Sequence, residues 1–471
     1  MDINVDVAII GAGTSGLNAL SQVKRARKSF VLINGGPLGT TCARVGCMPS
    51  KAFIQVAEDY HRREVFERHG IQGEEALGFD MEQAMEHVRD LRDIFVDRVI
   101  SGTTDNLGEA FIEGYAEFVD PTTLRVGDKT IHASAIIVAT GSRPIVPEEW
   151  RRFGDRVLTT DEIFEQPGLP ERLAVIGLGI IGLELGQALH RLGVAVTGID
   201  QLRSIGHTSD PKVNEAAVAT IGKEMPLWLG HPATVEAEGK QLRVSSGENS
   251  VLVDKVLVSI GRRPNLDRLG LERLGLSLDS RGVPHYDPHT MQVEDLPIFL
   301  AGDITGDRPI LHEAGDEGRI AGYNASHSPI LAFRRKTPLA ITFCDPNIAT
   351  MGTPWSELEG REDVVAGEMR LGPVGRALIM AKNRGIIRVY ADKVSGRLLG
   401  AEMIAPRGEN LAHLICWAIQ QERTVFDLLK MPFYHPVIEE ALQAALYDLV
   451  TKVEAREAPL LELEVLATEG P

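Results

Sequence analysis

The sequence predicts an α/β protein with two Rossmann-like dinucleotide-binding units and a C-terminal α+β unit, and three observations carry that reading. The first is a repeated glycine fingerprint: Gly11, Gly13 and Gly16 follow one short apolar run, and Gly177, Gly179 and Gly182 follow another. The second is spacing, because Gly11 to Asn34 and Gly177 to Asp200 both span 23 positions. The third is pattern. Strand-like and helix-like segments alternate through residue 200, as in doubly wound sheets, and give way near residue 338 to β-rich segments and two helices.

Taken in order, residues 6–16 read as a buried strand, a glycine turn and a helix start, the context in which such a fingerprint is credible. The glycines let backbone approach a pyrophosphate, whose charge then sits on a helix N-terminus. The basic run 24–28 falls at the end of that helix, where it complements the dipole. Residues 50–69 and 81–100 carry apolar side chains at helical spacing, and 111–139 turn to β. Prolines 144, 147, 167 and 170 punctuate a connection into the second unit. Within that unit, Asp200 stands where a carboxylate accepts from a ribose 2′-hydroxyl and repels a 2′-phosphate, so NAD is favoured over NADP; the rival reading is that Asp200 merely begins a loop. Asn34, at the equivalent place in the first unit, meets a ribose without charge. A buried run at 251–260 closes with Gly261 and the sequence Arg262-Arg263-Pro264-Asn265. Another at 297–300 leads into Gly302 and Asp303, an acceptor at a strand's C-terminal edge, where α/β ligands bind. The expected boundaries are 1–148 with 265–337 for the first dinucleotide unit, 149–264 for the second, 338–458 for the α+β unit and 459–471 for a weakly ordered tail.

Within the first unit, directly behind its fingerprint, lies the segment Cys42-Ala43-Arg44-Val45-Gly46-Cys47-Met48-Pro49-Ser50-Lys51. A thiol pair beside a redox cofactor implies electron transfer. A disulfide needs Cα atoms about 4.4–6.8 Å apart, whereas five residues of regular helix rise about 7.5 Å and splay the side chains. The turn between them is therefore expected to be irregular, with Gly46 supplying the tolerance and Pro49 and Ser50 opening a helix. Lys51 falls one turn beyond Cys47, where its cation and the helix N-terminus favour a thiolate. Taken alone, the pair also admits a reading as two unpaired buried thiols. In the last unit, His435-Pro436 precedes Glu439 and Glu440 in what reads as a helix start with proline at its first position. By itself that run is a cap or a surface feature. Next to thiol chemistry it becomes a candidate base, because a dithiol must lose a proton before it attacks a disulfide.

Composition bounds the rest. With 471 residues, 44% hydrophobic, the chain holds about three domains, and a net charge of −17 without a basic domain excludes a nucleic-acid partner. No apolar stretch approaches the 18 residues of a span, and the start lacks a signal-peptide pattern, so no membrane association and a cytoplasmic location are expected. Four cysteines argue against a secreted disulfide scaffold. Cys344 and Cys416 read as buried packing residues, and no metal site is expected.

With these residues in hand, the chain resembles the flavin-dependent pyridine-nucleotide disulfide oxidoreductases, and among them the dihydrolipoamide dehydrogenases. The likeness runs over nearly its whole length: both fingerprints, the cysteine pair, Ala139-Thr140-Gly141, 261–265, Gly302-Asp303 and 435–440 stand in the expected order. The resemblance implies FAD on the first unit, held by Gly11, Gly13, Gly16, Asn34, Lys51, Thr140, Gly141, Gly302, Asp303 and Ala314. It implies NAD on the second, at Gly177, Gly179, Gly182, Asp200 and Gly261. It further implies that the α+β unit makes a homodimer, that Cys47 contacts the flavin while Cys42 exchanges with substrate, and that His435 of the partner subunit is the base, oriented by Glu440. By the same likeness Lys51 and Glu184 pair near the flavin, although Glu184 read without the family is a solvent-facing helix carboxylate. The implied reaction partner is dihydrolipoamide or a lipoyl-bearing protein. Alternatives are an NADPH-dependent reductase of the glutathione reductase type, disfavoured by Asp200, and an NADH-binding electron-transfer flavoprotein without disulfide turnover. Mercuric-ion reduction ranks lower, since that family adds a C-terminal thiol pair and no cysteine follows Cys416. Asn34, Thr40 and Arg44 depart from the family pattern, as do Tyr434 and Val437 around the histidine.

Overall fold

A computed structural model describes residues 2–456, 462 and 463; the expected tail, 459–471, lies outside the described residues but for those last two. Its first sheet is built from apolar runs that are buried on both faces, which is the signature of parallel strands. Asp2–Ile10 pairs in parallel with Phe30–Asn34 on one side and Lys129–Val138 on the other, and Ile298–Leu300 joins the far edge of the latter. The late strand returns to the first sheet because 298–300 is fully buried and finds its backbone partners at 136–138. The second sheet repeats the plan: Ala195–Asp200, Arg172–Ile176 and Lys255–Val258 run parallel, flanked by Leu227–Leu229 and Val157–Leu158. A two-stranded antiparallel link, Ser142–Pro144 with Arg262–Pro264, ties the entry and exit of this insertion together. The third sheet is antiparallel, with Leu339–Thr342, Asn347–Gly352, Leu398–Ala405, Ile386–Asp392 and Val364–Arg370 in that order.

Three expected elements shift. The helix expected over 50–69 begins earlier, at Cys47, and its α-helical part ends at His61, continuing as short 3-10 turns. The apolar run 251–260 is two strands, because Asp254 accepts from the backbone N–H of Arg172 and breaks the run between an antiparallel hairpin strand and a parallel one. The last helix starts at Glu440 rather than behind His435, so Pro436 lies outside it.

Packing explains how distant segments meet. The helix Cys47–His61 lies against Met81–Gly102 and Ile180–Arg191, with Phe53 and Met85 fully enclosed. Each such side chain contributes about 2–3 kcal/mol of apolar burial. Strand Leu339–Thr342 also touches Ile180–Arg191. One helix of the second unit is thereby pressed between the cysteine helix and the edge of the third sheet.

Candidate active site

The thiols occupy two helices that Gly46 separates. Thr41–Val45 forms one short turn of helix, Cys47–His61 the next, and Gly46 sits between them at φ −121° and ψ −117°. A Cβ on Gly46 would lie 3.0 Å from Thr41 O and 3.2 Å from Cys42 Cα, tight enough that the backbone would have to give by a few tenths of an ångström. Thr40 caps the first turn, its hydroxyl accepting from Ala43 N–H at 3.2 Å, and does so at φ +65°, unusual for a β-branched residue. Both cysteines are free thiols, Cys47 exposed and Cys42 half-buried, and the two are electrostatically coupled. Their mutual interaction is the largest influence on each. It brings Cys47 down to about 7, with Lys51 assisting and desolvation and the Glu184 carboxylate opposing. The same interaction, with burial, pushes Cys42 far up. One proton is thus held on Cys42 while Cys47 carries the charge.

Lys51 Nζ meets Glu184 Oε2 at 2.7 Å and lies 4.7 Å from the centre of the Phe343 ring. Glu184 is buried, and its other oxygen accepts from Phe343 N–H at 2.9 Å. The solvent-facing reading of Glu184 is corrected here: the third sheet covers the helix face that carries it. Phe343 escaped the sequence reasoning because nothing in an apolar strand end marks it as a partner for an ion pair. Cys344 beside it is buried, its thiol pushed up to about 12 by burial, and Cys416 is buried as well.

Both glycine turns have the shape of a dinucleotide cradle. Gly11, at φ +110°, leaves no room for a Cβ, which would stand 2.3 Å from Ala139 O; one on Gly16 would stand 1.9 Å from Gly11 O. Gly13 opens the helix Thr14–Arg25 with nothing within 4 Å of its missing side chain. Gly177 and Gly182 repeat this geometry, at 2.5 Å from Ser259 O and 1.8 Å from Gly177 O. The residues 23 positions on grip these turns. Asn34 Oδ1 accepts from Ala12 N–H at 3.1 Å, and Asp200 Oδ2 accepts from Leu178 N–H at 2.6 Å while Oδ1 takes Leu202 N–H at 2.8 Å. Around the first turn, Asn265 Nδ2 donates to Thr140 O, Asn265 N–H to Gly141 O, and Ser142 Oγ to Asp303 Oδ2. Gly302, at φ +86°, packs against Ser15 and Ala314, and its N–H donates to Glu317 at 2.8 Å. Burial pushes the Glu317 carboxyl up to about 7. Gly261, at φ +121°, follows strand Lys255–Val258, which lies between the central strand of the second sheet and its edge strand Val157–Leu158. Backbone exposed at a helix start, with strand ends fixing the turn, fits a bound FAD in the first unit and a nicotinamide dinucleotide in the second.

His435 and Glu440 form a pair away from the thiols in sequence. His435 Nδ1 lies 2.8 Å from Glu440 Oε1, and Glu440 Oε2 accepts from Val437 N–H at 3.0 Å. The histidine bond, then the backbone bond, hold the Glu440 carboxyl below its usual value. The imidazole is 81% exposed. With Nδ1 committed to the carboxylate, Nε2 is the ring nitrogen left for a substrate.

Comparison with known proteins agrees with this geometry. Residues 5–318 match the family model for pyridine nucleotide-disulphide oxidoreductases, and residues 339–446 match the dimerisation domain of the same family. The dihydrolipoyl dehydrogenase of Haloferax volcanii is 32% identical over 462 residues, covering 93% of this chain and 95% of the relative. A mercuric reductase of Staphylococcus aureus is 29% identical, covering 91% of this chain and 79% of the relative. Among solved structures, the Cu(II) complex of the HOCl-induced flavoprotein disulfide reductase RclA from Escherichia coli has the same fold, with a TM-score of 0.82 at 21% identity over 94% of this chain and 99% of that one.

Proposed function

Because the chain belongs to the pyridine nucleotide-disulphide oxidoreductases, whose cofactors are FAD and NAD(H), we propose that it oxidises a small dithiol of the dihydrolipoamide type with NAD, as a homodimer. The observation that carries this reading is the coupled thiol pair, with Cys47 poised near neutrality beside the Lys51–Glu184 ion pair. In the oxidised enzyme Cys42 and Cys47 form a disulfide. One substrate thiolate attacks Cys42 Sγ, making a mixed disulfide and expelling Cys47 as a thiolate. That leaving group is favourable because its conjugate thiol is acidic. His435 of the partner subunit then takes the proton of the second substrate thiol through Nε2, and the resulting thiolate closes the substrate disulfide and releases Cys42. Glu440 holds the imidazole in the tautomer this requires and stabilises the imidazolium.

When bound, FAD accepts the electron pair from the thiols and NAD carries it off as hydride. Gly11, Gly13, Gly16, Asn34, Thr140, Gly141, Gly302, Asp303 and Ala314 would hold the flavin nucleotide, with Lys51 near its reactive part. Gly177, Gly179, Gly182, Asp200 and Gly261 would hold NAD. Asp200 favours NAD because a second negative group would meet its carboxylate. The dihydrolipoyl dehydrogenase relatives support the substrate class, while the mercuric reductase relative supplies the competing one. Purified protein assayed with dihydrolipoamide plus NAD, with glutathione disulfide plus NADPH, and with Hg(II) plus NADPH decides among them. The first pair should dominate; turnover mainly with either NADPH couple would overturn the proposal.

A further inference from the structure

The two glycine turns match in backbone but differ in what stands over them. Gly13 has no atom within 4 Å of its missing Cβ, whereas the same position on Gly179 lies 2.8 Å from His207 Nε2. In this class of turn the second glycine is the place where backbone and pyrophosphate come together. We propose that His207 is a binding residue for the diphosphate bridge of the pyridine dinucleotide, donating to it at the N-terminus of the helix Ile180–Arg191. The inference rests on the second unit being a nucleotide fold.

The backbone that carries His207 is fixed on both sides. Gly206 N–H donates to Leu178 O, inside the glycine turn, at 2.8 Å. Asn214 Oδ1 accepts from Ile205 N–H and Thr208 Oγ, and Glu402 accepts from the N–H groups of Ser209 and Asp210 at 2.9 Å each. His207 itself sits at φ +59°, a conformation that aims its side chain where a regular turn would not. The imidazole is exposed and makes no hydrogen bond among the described residues. A fixed main chain thus delivers an uncommitted N–H donor, free to rotate about its own side-chain bonds, to the mouth of the helix.

Calorimetric titration of the full-length flavoprotein with ADP-ribose and with adenosine tests this without turnover. A charge-assisted contact is expected to make His207→Ala bind ADP-ribose about tenfold more weakly. Adenosine affinity should stay unchanged, and His207→Lys should restore ADP-ribose. Unchanged or tighter ADP-ribose binding by His207→Ala would overturn the proposal, as would equal weakening for both ligands, which marks a packing role. A wild-type protein that binds neither ligand would instead sink the nucleotide reading of the second unit.

Discussion

Cys47 feels three charges or dipoles that can be removed one at a time, and their signs differ. With the reduced protein, alkylation of Cys47 should rise with pH about a midpoint near 7, the thiolate being lost as pH falls through that value. Lys51→Met removes a favourable cation and should move the midpoint up. Glu184→Gln removes an opposing anion and should move it down. Shifts in the same direction would refute this account of the pair. Thr40 offers a second test. Its left-handed backbone costs about 1–3 kcal/mol, offset in part by the cap to Ala43. Thr40→Ala keeps the strained backbone and loses the cap, and should lower stability by about 1 kcal/mol. Thr40→Gly relieves the backbone and should not, as thermal unfolding of the two variants would reveal.

At the scale of elements, the break at Gly46 is what allows two helices to present their sulfurs to each other. A Cβ at that position must displace Thr41 O or Cys42 Cα, both backbone. Gly46→Ala should therefore lengthen the thiol contact and raise the Cys47 midpoint toward an ordinary thiol. A midpoint still near 7 would show that the contact survives the added carbon. The glycine turns were legible because strand, turn and helix are contiguous, and so was the irregularity between the cysteines, which follows from helix rise alone. Helix boundaries were less legible. Residues 47–49 begin a helix because Gly46 ends the previous one, and the last helix starts only at Glu440, whose carboxylate accepts from Val437 N–H; both depend on neighbours rather than on periodicity.

At the scale of the whole molecule, an exposed imidazole held by Glu440 calls for a substrate site that its own surface does not enclose. If that site combines the thiols of one protomer with the histidine of its partner, Cys42→Ser and His435→Gln homodimers should each be inactive in dithiol oxidation. Randomly mixed, they should recover about a quarter of wild-type activity, since half the dimers are hybrids with one intact site. No recovery on mixing would place thiols and base in one protomer. His435→Gln alone should slow dithiol oxidation far more than NADH-to-dye electron transfer, and equal loss in both assays would remove the base role.

The chain by itself determined the paired dinucleotide folds, the dithiol within the first of them and the antiparallel unit behind them, because each is written in contiguous residues at fixed spacing. Asn34 and Asp200 were found the same way, through equal distances from their fingerprints. Only the tertiary structure decided that Glu184 is buried under Phe343, that Asn34 and Asp200 grip the glycine turns, and that His207 stands over Gly179. Those contacts join segments that share no local pattern, and burial and hydrogen-bond satisfaction select them only after the sheets have packed.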